Sequence, residues 1–280
     1  MIRERIADDV YVFRSRRYAQ VTAGAVLTKE GAILIDTLYY PEETRQIKEF
    51  LEGRLGLKVR YVVNTHYHAD HTQGTYLFPE ARVVSHALCR QLLDTLGREG
   101  LTHLKGQSPE FGEVEIILPD LVFEQNCHTL AFGGKTLRLQ HCPGHSPDLI
   151  TVFVSNDRVL FASDAVMPVP TLFDGNYGDL VNTLESIQRM NLDCVVQGHG
   201  EVILRGEIEA MLRSDLTYLK QIRKAVERVI TNGNVVSALE TISIESCGKS
   251  RIPLNGFVSD LHFANLHRLY HDLSGNGKGG

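Results

Sequence analysis

The sequence predicts a mixed α+β fold in which helices pack on the outer faces of sheets. Patterns typical of strands and of helices occur in both halves of the chain, and a run of strands joined by tight turns fills its middle. The chain has 280 residues, of which 43% are apolar. That is enough to bury the core of one large domain, or of a domain with an appendage.

The first third of the chain alternates strands and helices. After Pro41, the run 42–56 opens with acids, has apolar residues at helical spacing and ends near glycines, which predicts a helix. A second helix is predicted at His86–Leu96, and residues 97–120 are predicted to be an irregular loop over one face. Strands are predicted at Val10–Arg14, Ala25–Lys29, Ala32–Asp36, Lys58–Asn64 and Arg82–Ser85.

The middle of the chain is predicted to be a meander of strands, with turns at residues 133–134 and 156–157. A mostly helical tail follows, and residues 274–280 are expected to fray. The meander strands are predicted at Asn126–Phe132, Lys135–His141, Leu149–Val154 and Arg158–Ala162. The later elements are predicted at Asp179–Met190 (helix), Cys194–Gln197 (strand), Gly206–Ile230 (helix) and Leu261–Leu273 (helix).

Charge and cysteine usage narrow the class of partner. The formal net charge is -5 and no basic block is present, so nucleic acid is not an expected partner. The N-terminus lacks the apolar core of a signal peptide, and no stretch approaches the roughly 20 apolar residues of a membrane helix. The five cysteines are scattered without a CxxC pair, as in reduced cytoplasmic proteins. We therefore expect a cytoplasmic protein that binds a small-molecule substrate, and no membrane; the oligomeric state stays open.

The segment His66–His71 carries the clearest chemical signal. It follows a buried strand, and in an extended stretch His66 and His68 face the same side. If a helix begins around Asp70, then Asp70 and His71 turn toward a neighbouring point. Imidazole and carboxylate are ligands that suit zinc or a similar first-row ion. Four such side chains within six residues would be costly to bury without a metal, so the segment predicts two adjacent half-sites for metal ions.

Three further candidates stand at the ends of later strands. His145, Asp164 and His199 each follow a predicted strand and are flanked by glycine, proline or serine. Loops at one edge of a sheet are where functional side chains converge. The remaining histidines are interpreted as surface or core residues rather than ligands; among them are His86, His103, His128, His262, His267 and His271.

Four motifs in order, THYHADH, PGHS, ASD and GHG, resemble those of the metallo-β-lactamase-fold superfamily. The resemblance covers the chain from Asp36 to His199. It implies an αββα sandwich, in which two sheets face each other, helices cover the outside and metals lie at one edge. On this basis residues 1–205 are expected to form the core, and residues 206–280 a helical C-terminal region packed on it.

The resemblance also implies a role for each candidate residue. It implies two divalent metal ions per chain, zinc first, with manganese or iron as alternatives. Asp36 is expected to orient a ligand histidine or the loop below it, although capping of a turn is the simpler alternative. The first metal is assigned to His66, His68 and His145, the second to Asp70, His71 and His199, and Asp164 is assigned as the bridge between them.

Such a site favours hydrolysis. Two close metal ions acidify a shared water and supply a hydroxide that attacks an electrophilic carbonyl or phosphorus. Asp70 is expected to orient this nucleophile and receive its proton, which makes it the catalytic residue of the prediction. Ser146 and Ser163 are expected to form hydrogen bonds within turns rather than to act as nucleophiles. The predicted reaction is hydrolysis of a small ester, thioester or lactone.

Departures from particular branches narrow the resemblance. The best-known zinc β-lactamases have a cysteine at the position of Asp164, and the flavodiiron branch has glutamate at the position of His68. Asp164 instead resembles the glyoxalase II, lactonase, phosphodiesterase and tRNA-processing branches. No segment matches the RNA-binding element of the last, and the basic cluster by which glyoxalase II binds glutathione has no clear match. Three alternatives stay open: a mononuclear iron persulfide dioxygenase, a zinc β-lactamase and a non-catalytic metal-binding scaffold.

Aromatic and apolar residues near the motifs are candidates for the substrate pocket, although ordinary core or loop packing is the simpler explanation for each of them. One further histidine of the tail could reach the site from the C-terminal region. The candidates are Tyr39, Tyr40, Met167, Phe173, Tyr177 and His262.

Overall fold

The computed structural model describes residues 1–233 and 235–275, and within them the strands form two sheets. The first sheet follows chain order; its first four strands pair antiparallel and its last four pair parallel. Its strands are β1 (Ile2–Ala7), β2 (Val10–Arg14), β3 (Thr22–Thr28), β4 (Gly31–Ile35), β5 (Val59–Val63), β6 (Arg82–His86) and β7 (Leu121–Phe123).

The second sheet contains the predicted meander. Its strands β8 to β11 pair antiparallel in sequence, β12 pairs parallel to β11, and β13 closes the far edge. The bounds are β8 (Cys127–Phe132), β9 (Lys135–His141), β10 (Ile150–Val154), β11 (Val159–Ser163), β12 (Cys194–Gln197) and β13 (Ile203–Leu204).

Helices cover the outer faces of both sheets. The first helix continues into a wider π-helical turn at Glu49–Arg54, and a similar turn at Leu93–Gly97 joins the third helix to the fourth. The α-helices are α1 (Pro41–Lys48), α2 (Ala69–Thr72), α3 (Ala87–Leu92), α4 (Arg98–Gln107), α5 (Tyr177–Gln188), α6 (Arg205–Thr231) and α7 (Val258–Leu273). Short 3₁₀ turns lie at Thr75–Leu77, Pro109–Phe111, Val236–Thr241, Glu245–Cys247 and Pro253–Gly256.

The alternation of side chains along the strands builds the layers. On β4, Ile33 and Ile35 point into an apolar cluster shared with the second sheet, whereas Leu34 between them points to a cluster that includes Ile47 and Leu51 beyond the outer face. On the second sheet, the outer side packs against α5, α6 and α7 in a third cluster. The order helix, sheet, sheet, helix confirms the predicted αββα sandwich with a helical C-terminal region.

The edge where β5, β11 and β12 end is tied across the sandwich. The backbone N–H of Thr22 in the first sheet donates to the carbonyl of Gly198 after β12, at 2.8 Å, and Val21 forms an isolated bridge with His199. The N–H of Ile150 donates to the carbonyl of Thr65 after β5, at 2.9 Å. These bonds bring the ends of strands from both sheets to one place.

The C-terminal helices share their core with the second sheet. Leu160 of β11 and Val195 of β12 belong to the same buried cluster as Leu212 and Leu219 of α6 and Leu266 of α7. The boundary at residue 205 between core and C-terminal region stays a prediction. Among the helices of the described residues, none combines the length and the hydropathy of a bilayer-spanning segment.

The main correction to the predicted elements concerns residues 97–120. They were expected to be irregular, and four glycines at positions 97, 100, 106 and 112 do lower the helix propensity of this run. Instead α4 forms, since Leu101 and Leu104 at helical spacing pack with Phe111 and the neighbouring tyrosines. The short strands β1, β7 and β13 were not predicted. The expected fraying concerns residues 274–280, of which 276–280 lie outside the described residues.

Candidate metal centre

The segment after β5 has the two conformations that its spacing requires. His68 is extended (φ -60°, ψ 144°) and directly precedes α2, which starts at Ala69. The extended part turns the rings of His66 and His68 to one side, and the single helical turn carries Asp70 and His71 to the next position. The helix thus begins where the sequence predicted it.

The first group of ligand-type atoms contains three ring nitrogens. Nε2 of His66 lies 2.9 Å from Nδ1 of His68, and Nε2 of His145 lies 3.0 Å from the same atom. Oδ2 of Asp164 is 3.2 Å from Nε2 of His145 and 3.9 Å from Nε2 of His66. These four residues could hold one metal ion.

The second group lies beside the first. Oδ2 of Asp70 is 3.3 Å from Nε2 of His199 and 3.9 Å from Nε2 of His71. Asp164 reaches this group as well, with Oδ1 3.2 Å from Nε2 of His71 and Oδ2 3.6 Å from Nε2 of His199. Asp70, His71 and His199 could hold a second ion, and the carboxylate of Asp164 lies between the two groups.

The outer nitrogen of each of the five histidines contacts an oxygen atom. Carbonyl and carboxylate oxygens only accept hydrogen bonds, and the hydroxyl of Thr65 already donates its proton to Asp36. The nitrogen facing each oxygen therefore carries the proton, and the inner nitrogen of the neutral ring offers its lone pair to the centre. The pairs are His66 Nδ1 with Thr65 Oγ1 (3.1 Å), His68 Nε2 with Asp174 Oδ2 (3.0 Å), His71 Nδ1 with Asp36 Oδ2 (2.9 Å), His145 Nδ1 with the carbonyl of Thr171 (3.1 Å) and His199 Nδ1 with the carbonyl of Ala19 (2.9 Å).

This arrangement fits metal ions. Lone pairs that converge at about 3 Å cannot satisfy one another by hydrogen bonds. Nε2 of His71 and Oδ1 of Asp164 are buried, lie 3.2 Å apart and have no hydrogen-bond partner, which costs free energy unless a metal ion or a proton on His71 compensates the carboxylate. Five imidazoles and two carboxylates are the donor set expected for zinc, iron or manganese.

Protons compete with metal for these atoms. Burial lowers the pKa of His66, and lowers that of His145 to about 4. Burial also acts to lower the pKa of His199, but the carboxylates of Asp164 and Asp70 outweigh it and raise the pKa to about 10. The pKa of His71 is raised for the same reason. Metal that binds the second group must therefore displace protons.

Asp36 holds His71 and the loop after β5. It has a positive φ of 57°, a conformation that aspartate adopts more readily than most residues. Its carboxylate accepts hydrogen bonds from the N–H and the hydroxyl of Thr65, both at 2.7 Å, as well as from His71. Asp36 thus has both contacts that the sequence suggested. Ser163, the last residue of β11, lies 2.8 Å from the same threonine hydroxyl, so its contact crosses the sandwich and the expectation of a hydrogen bond within its own turn is corrected.

Gly198 lets Asp164 approach. A Cβ atom at this position would collide with Oδ1 and the backbone N of Asp164. A side chain at this position would push the carboxylate away from the centre. Glycine is therefore required before His199 for steric reasons.

Two aspartates near the ligands were missed by sequence reasoning. Asp174 accepts hydrogen bonds from Nε2 of His68 and from the hydroxyl of Tyr67, and Asp148 accepts one from the backbone N–H of Tyr67 at 2.8 Å. Ser146, whose hydroxyl donates to Asp148 at 2.8 Å, forms the expected local hydrogen bond. Asp174 is 106 positions from His68, so no local pattern signals their contact.

A cavity of about 410 Å³ opens at the two groups. Tyr39, Met167 and Phe173, three of the residues expected near the substrate, line it together with Asp70. Phe173 is 57% exposed, and its ring centroid lies 5.0 Å from that of His68. That a substrate binds against these residues stays a prediction.

The other three pocket candidates do not line this cavity, and the expectation is corrected for them. Tyr40 lies beneath the guanidinium of Arg17, 3.8 Å from its ring centroid, and Tyr177 lies beneath that of Arg223, at 5.0 Å. His262 is buried, and its Nδ1 is 3.0 Å from a tyrosine hydroxyl, so it is a core residue. Closeness to a motif in sequence does not fix the direction of a side chain.

Comparison with known families identifies the superfamily to which this chain belongs. A family model described as the metallo-beta-lactamase superfamily matches residues 16–199, a range that contains all seven residues of the two groups. The chain belongs to the metallo-beta-lactamase superfamily. The resemblance of the sequence motifs is thereby confirmed.

Curated relatives of this chain include two proteins named as hydrolytic enzymes. The chain is 26% identical over 243 residues to an atrochrysone carboxyl ACP thioesterase of Pseudocercospora fijiensis (strain CIRAD86), covering 82% of this chain and 64% of the relative. It is 24% identical over 164 residues to a hydroxyacylglutathione hydrolase of Pelagibacter ubique (strain HTCC1062), covering 58% of each. The chain spans about half to two thirds of the length of the curated relatives it matches.

Solved structures share the fold. A metallo-beta-lactamase from Pontibacter korlensis matches with a TM-score of 0.63 and 23% identity, over 78% of this chain and 98% of that one. A sec-alkylsulfatase, Pisa1 from Pseudomonas sp., matches with a TM-score of 0.72 and 15% identity, over 98% of this chain and 50% of that one. At these identities the similarity concerns the fold of the superfamily.

Proposed function

We propose that this protein is a hydrolase that binds two divalent metal ions and cleaves an ester, thioester or lactone of a small molecule. The first ion would be held by His66, His68 and His145. The second would be held by Asp70, His71 and His199. Asp164 would bridge the two, and zinc is the metal we expect first, with manganese or iron as alternatives.

The position of the Asp164 carboxylate is the observation that carries the proposal. Its two oxygens lie 3.2 Å from Nε2 of His145 and 3.2 Å from Nε2 of His71, one in each group. The side chain is 4% exposed, and Oδ1 has no hydrogen-bond partner. A buried carboxylate between two sets of histidines is best explained by cations on both sides.

Two bound divalent ions would acidify a water molecule and polarise a carbonyl oxygen. The protein supplies orientation and a place for the proton. Asp70 lines the cavity and is 15% exposed, so its carboxylate can contact both a bound metal ion and the solvent. Burial acts to raise the pKa of Asp70, but without metal the charges of His71 and His199 outweigh it and lower this pKa to about 2. The carboxylate is therefore ionised and available to bind a cation.

Tyr18 offers a neutral donor in the same cavity. Its ring stacks on Tyr39, with centroids 4.1 Å apart, and burial raises the pKa of its hydroxyl. It therefore stays protonated at neutral pH and can donate a hydrogen bond to an oxygen of the substrate. The names of two relatives support this reaction class, since one is called a thioesterase and the other a hydroxyacylglutathione hydrolase.

The test combines metal analysis with a substrate panel. Purified protein should contain close to two metal ions per chain by mass spectrometry, lose esterase or lactonase activity on chelation and regain it with zinc, manganese or cobalt. A content that stays at one ion under metal excess would contradict the binuclear site and favour a mononuclear iron dioxygenase acting on persulfides. Turnover of nitrocefin alone would favour a β-lactamase, and two ions without any turnover would favour a non-catalytic scaffold.

A further inference from the structure

Two sets of residues line the cavity at the metal groups. One set contains candidate ligands. The other, here called the apolar wall, belongs to segments that contain none of the motifs: the turn Leu93–Gly97 with α4, the chain near residue 116, and the residues around the start of α7. The apolar wall consists of Leu96, Leu101, Leu104, Ile116, Phe257 and Leu261.

Parts of the apolar wall are exposed to solvent. Leu96 is 49% exposed and Phe257 is 39% exposed, and Phe173 beside the first group is 57% exposed. Large apolar side chains that surround one opening lose contact with water when a ligand covers them. Each methylene buried in this way contributes about a fourfold gain in affinity. The volume of about 410 Å³ lies within the range of small-molecule pockets.

Away from the metal groups, the described residues give the cavity no cationic side chain. Among the described residues that line it, none is a lysine or an arginine. Two arginines close in sequence to the lining are already paired: Arg98 with Asp94 at 2.7 Å, and Arg17 with Glu110 at 2.7 Å. A carboxylate or phosphate held against the apolar wall would lose its hydration without a counter-charge, which is costly.

We infer that the substrate carries an uncharged, apolar acyl chain that lies along the apolar wall while its ester, thioester or lactone carbonyl faces the metal groups. This inference rests on the proposed hydrolase function and names its substrate class. Anionic acyl groups are excluded by the missing cation, so short dicarboxylic esters should be poor substrates.

Gly100 gives a direct way to shorten the cavity. It lines the cavity from the first turn of α4, and a Cβ atom there would meet no heavy atom within 4 Å. Gly100→Leu therefore adds bulk to the cavity without strain in the helix. Gly106, also on α4 and equally free of neighbours, does not line the cavity, so Gly106→Leu is the matched control.

The experiment measures kcat/KM of the metal-loaded full chain for 4-nitrophenyl acetate, hexanoate and decanoate. We expect the value to rise with chain length in the unmodified protein. In Gly100→Leu the ratio of decanoate to acetate should fall at least tenfold, whereas Gly106→Leu should keep the original ratio. A profile that does not depend on chain length, or an equal effect of both variants, would overturn the inference.

A charged probe tests the second half of the inference. The hydrogen adipate ester has the same six carbons as the hexanoate ester but ends in a carboxylate, and it should be at least tenfold poorer. Leu96→Arg places a cation at a half-exposed position of the apolar wall and should raise the ratio of adipate to hexanoate at least tenfold. Equal kcat/KM values for the adipate and hexanoate esters in the unmodified protein would contradict the claim that the cavity excludes anionic acyl groups.

Failure of this inference can be separated from failure of the proposed function. Metal-dependent hydrolysis of esters without a preference for chain length would support the proposed hydrolase function and contradict the inferred acyl-chain substrate. If no ester is hydrolysed, calorimetry with the uncleaved N-methyldecanamide and N-methylacetamide decides the matter. Tighter binding of the decanamide that weakens in Gly100→Leu but not in Gly106→Leu supports the acyl chain, and absence of that difference overturns it.

Discussion

The side-chain amide of Asn265 on α7 holds the backbone of Leu172, whose N–H donates to Oδ1 at 2.8 Å. Nδ2 of the same amide donates to the carbonyl of Pro170 at 2.7 Å. Thr171 stands between these two residues, and its carbonyl is the acceptor that fixes the ring of His145. One buried amide of the C-terminal region therefore supports a candidate ligand of the first metal.

Asn265→Ala should weaken the first metal site. The substitution leaves the N–H of Leu172 and the carbonyl of Pro170 without partners, and we expect the free energy of unfolding to fall by about 1–3 kcal/mol. Loss of such support typically lowers metal affinity about 10–100-fold. Titration with cobalt in a His199→Ala background, where only the first group is complete, measures this directly. Arg268→Ala, whose exposed partner on α7 is Asp272, is the control and should leave the affinity unchanged.

Asp164→Ala should damage the second site most. The variant removes the only carboxylate within reach of both His71 and His145 among the described residues. We expect the metal content to fall toward one ion per chain and turnover to fall by orders of magnitude, because the bridge between the two ions is lost. Circular dichroism should show that the fold survives, since Asp164 lies at a strand end. Near-native turnover would mean that Asp164 is not a bridge.

Asp70→Asn separates metal binding from proton transfer. Asparagine keeps an oxygen ligand and nearly the same shape, but it cannot take a proton. If Asp70 also receives a proton, the rate at saturating zinc should stay about 10²–10⁴-fold below that of the unmodified protein. Metal content and rate are measured together across a zinc series. Full recovery of the rate with excess zinc would leave Asp70 as a ligand alone.

The stability of the C-terminal region should depend on pH through Asp215. This residue of α6 is fully buried and pairs with Lys249, and burial raises its pKa to about 6 although the lysine lowers it. The folded protein therefore keeps a proton that the unfolded chain releases near pH 4. The contribution of this group is fully present below about pH 4 and is lost as the pH rises through about 6.

Urea unfolding between pH 4 and pH 7 tests whether the stability contributed by Asp215 is lost as the pH rises. Relative to Asp215→Asn, which cannot titrate, the free energy of unfolding of the unmodified protein should fall by about 2 kcal/mol across this range. Asp272→Asn, at an exposed acid on α7, should run parallel to the unmodified protein. A constant difference between the unmodified protein and Asp215→Asn would show that the carboxyl group does not titrate in this range.

The elements and the candidate ligands could be predicted because their signals are local. A buried strand followed at once by His66 and His68 fixes both the strand and the direction of the rings. The motif order then related His145 and His199 to the same site. The seven candidate residues come together in two groups as their assignment required, although metal binding itself stays a proposal.

The supporting contacts could not be predicted, because they join residues far apart in the chain. Asp174 meets His68 only after the loop before α5 folds over the centre, and Asn265 meets Leu172 only after α7 docks. Tyr39 and Tyr40 are neighbours in sequence, yet only Tyr39 lines the cavity. Such side-chain directions depend on tertiary packing, which helix and strand propensities do not predict.

The two candidate groups also have a mechanical consequence. Each takes residues from both halves of the sandwich: His66 and His71 follow β5 of one sheet, while His145 and His199 follow β9 and β12 of the other. An ion in either group would link the two sheets, because its ligands lie close together only when the sheets are stacked. The free energy of metal binding would then contribute to the free energy of folding, so removal of the metal should destabilise the packing of the two sheets.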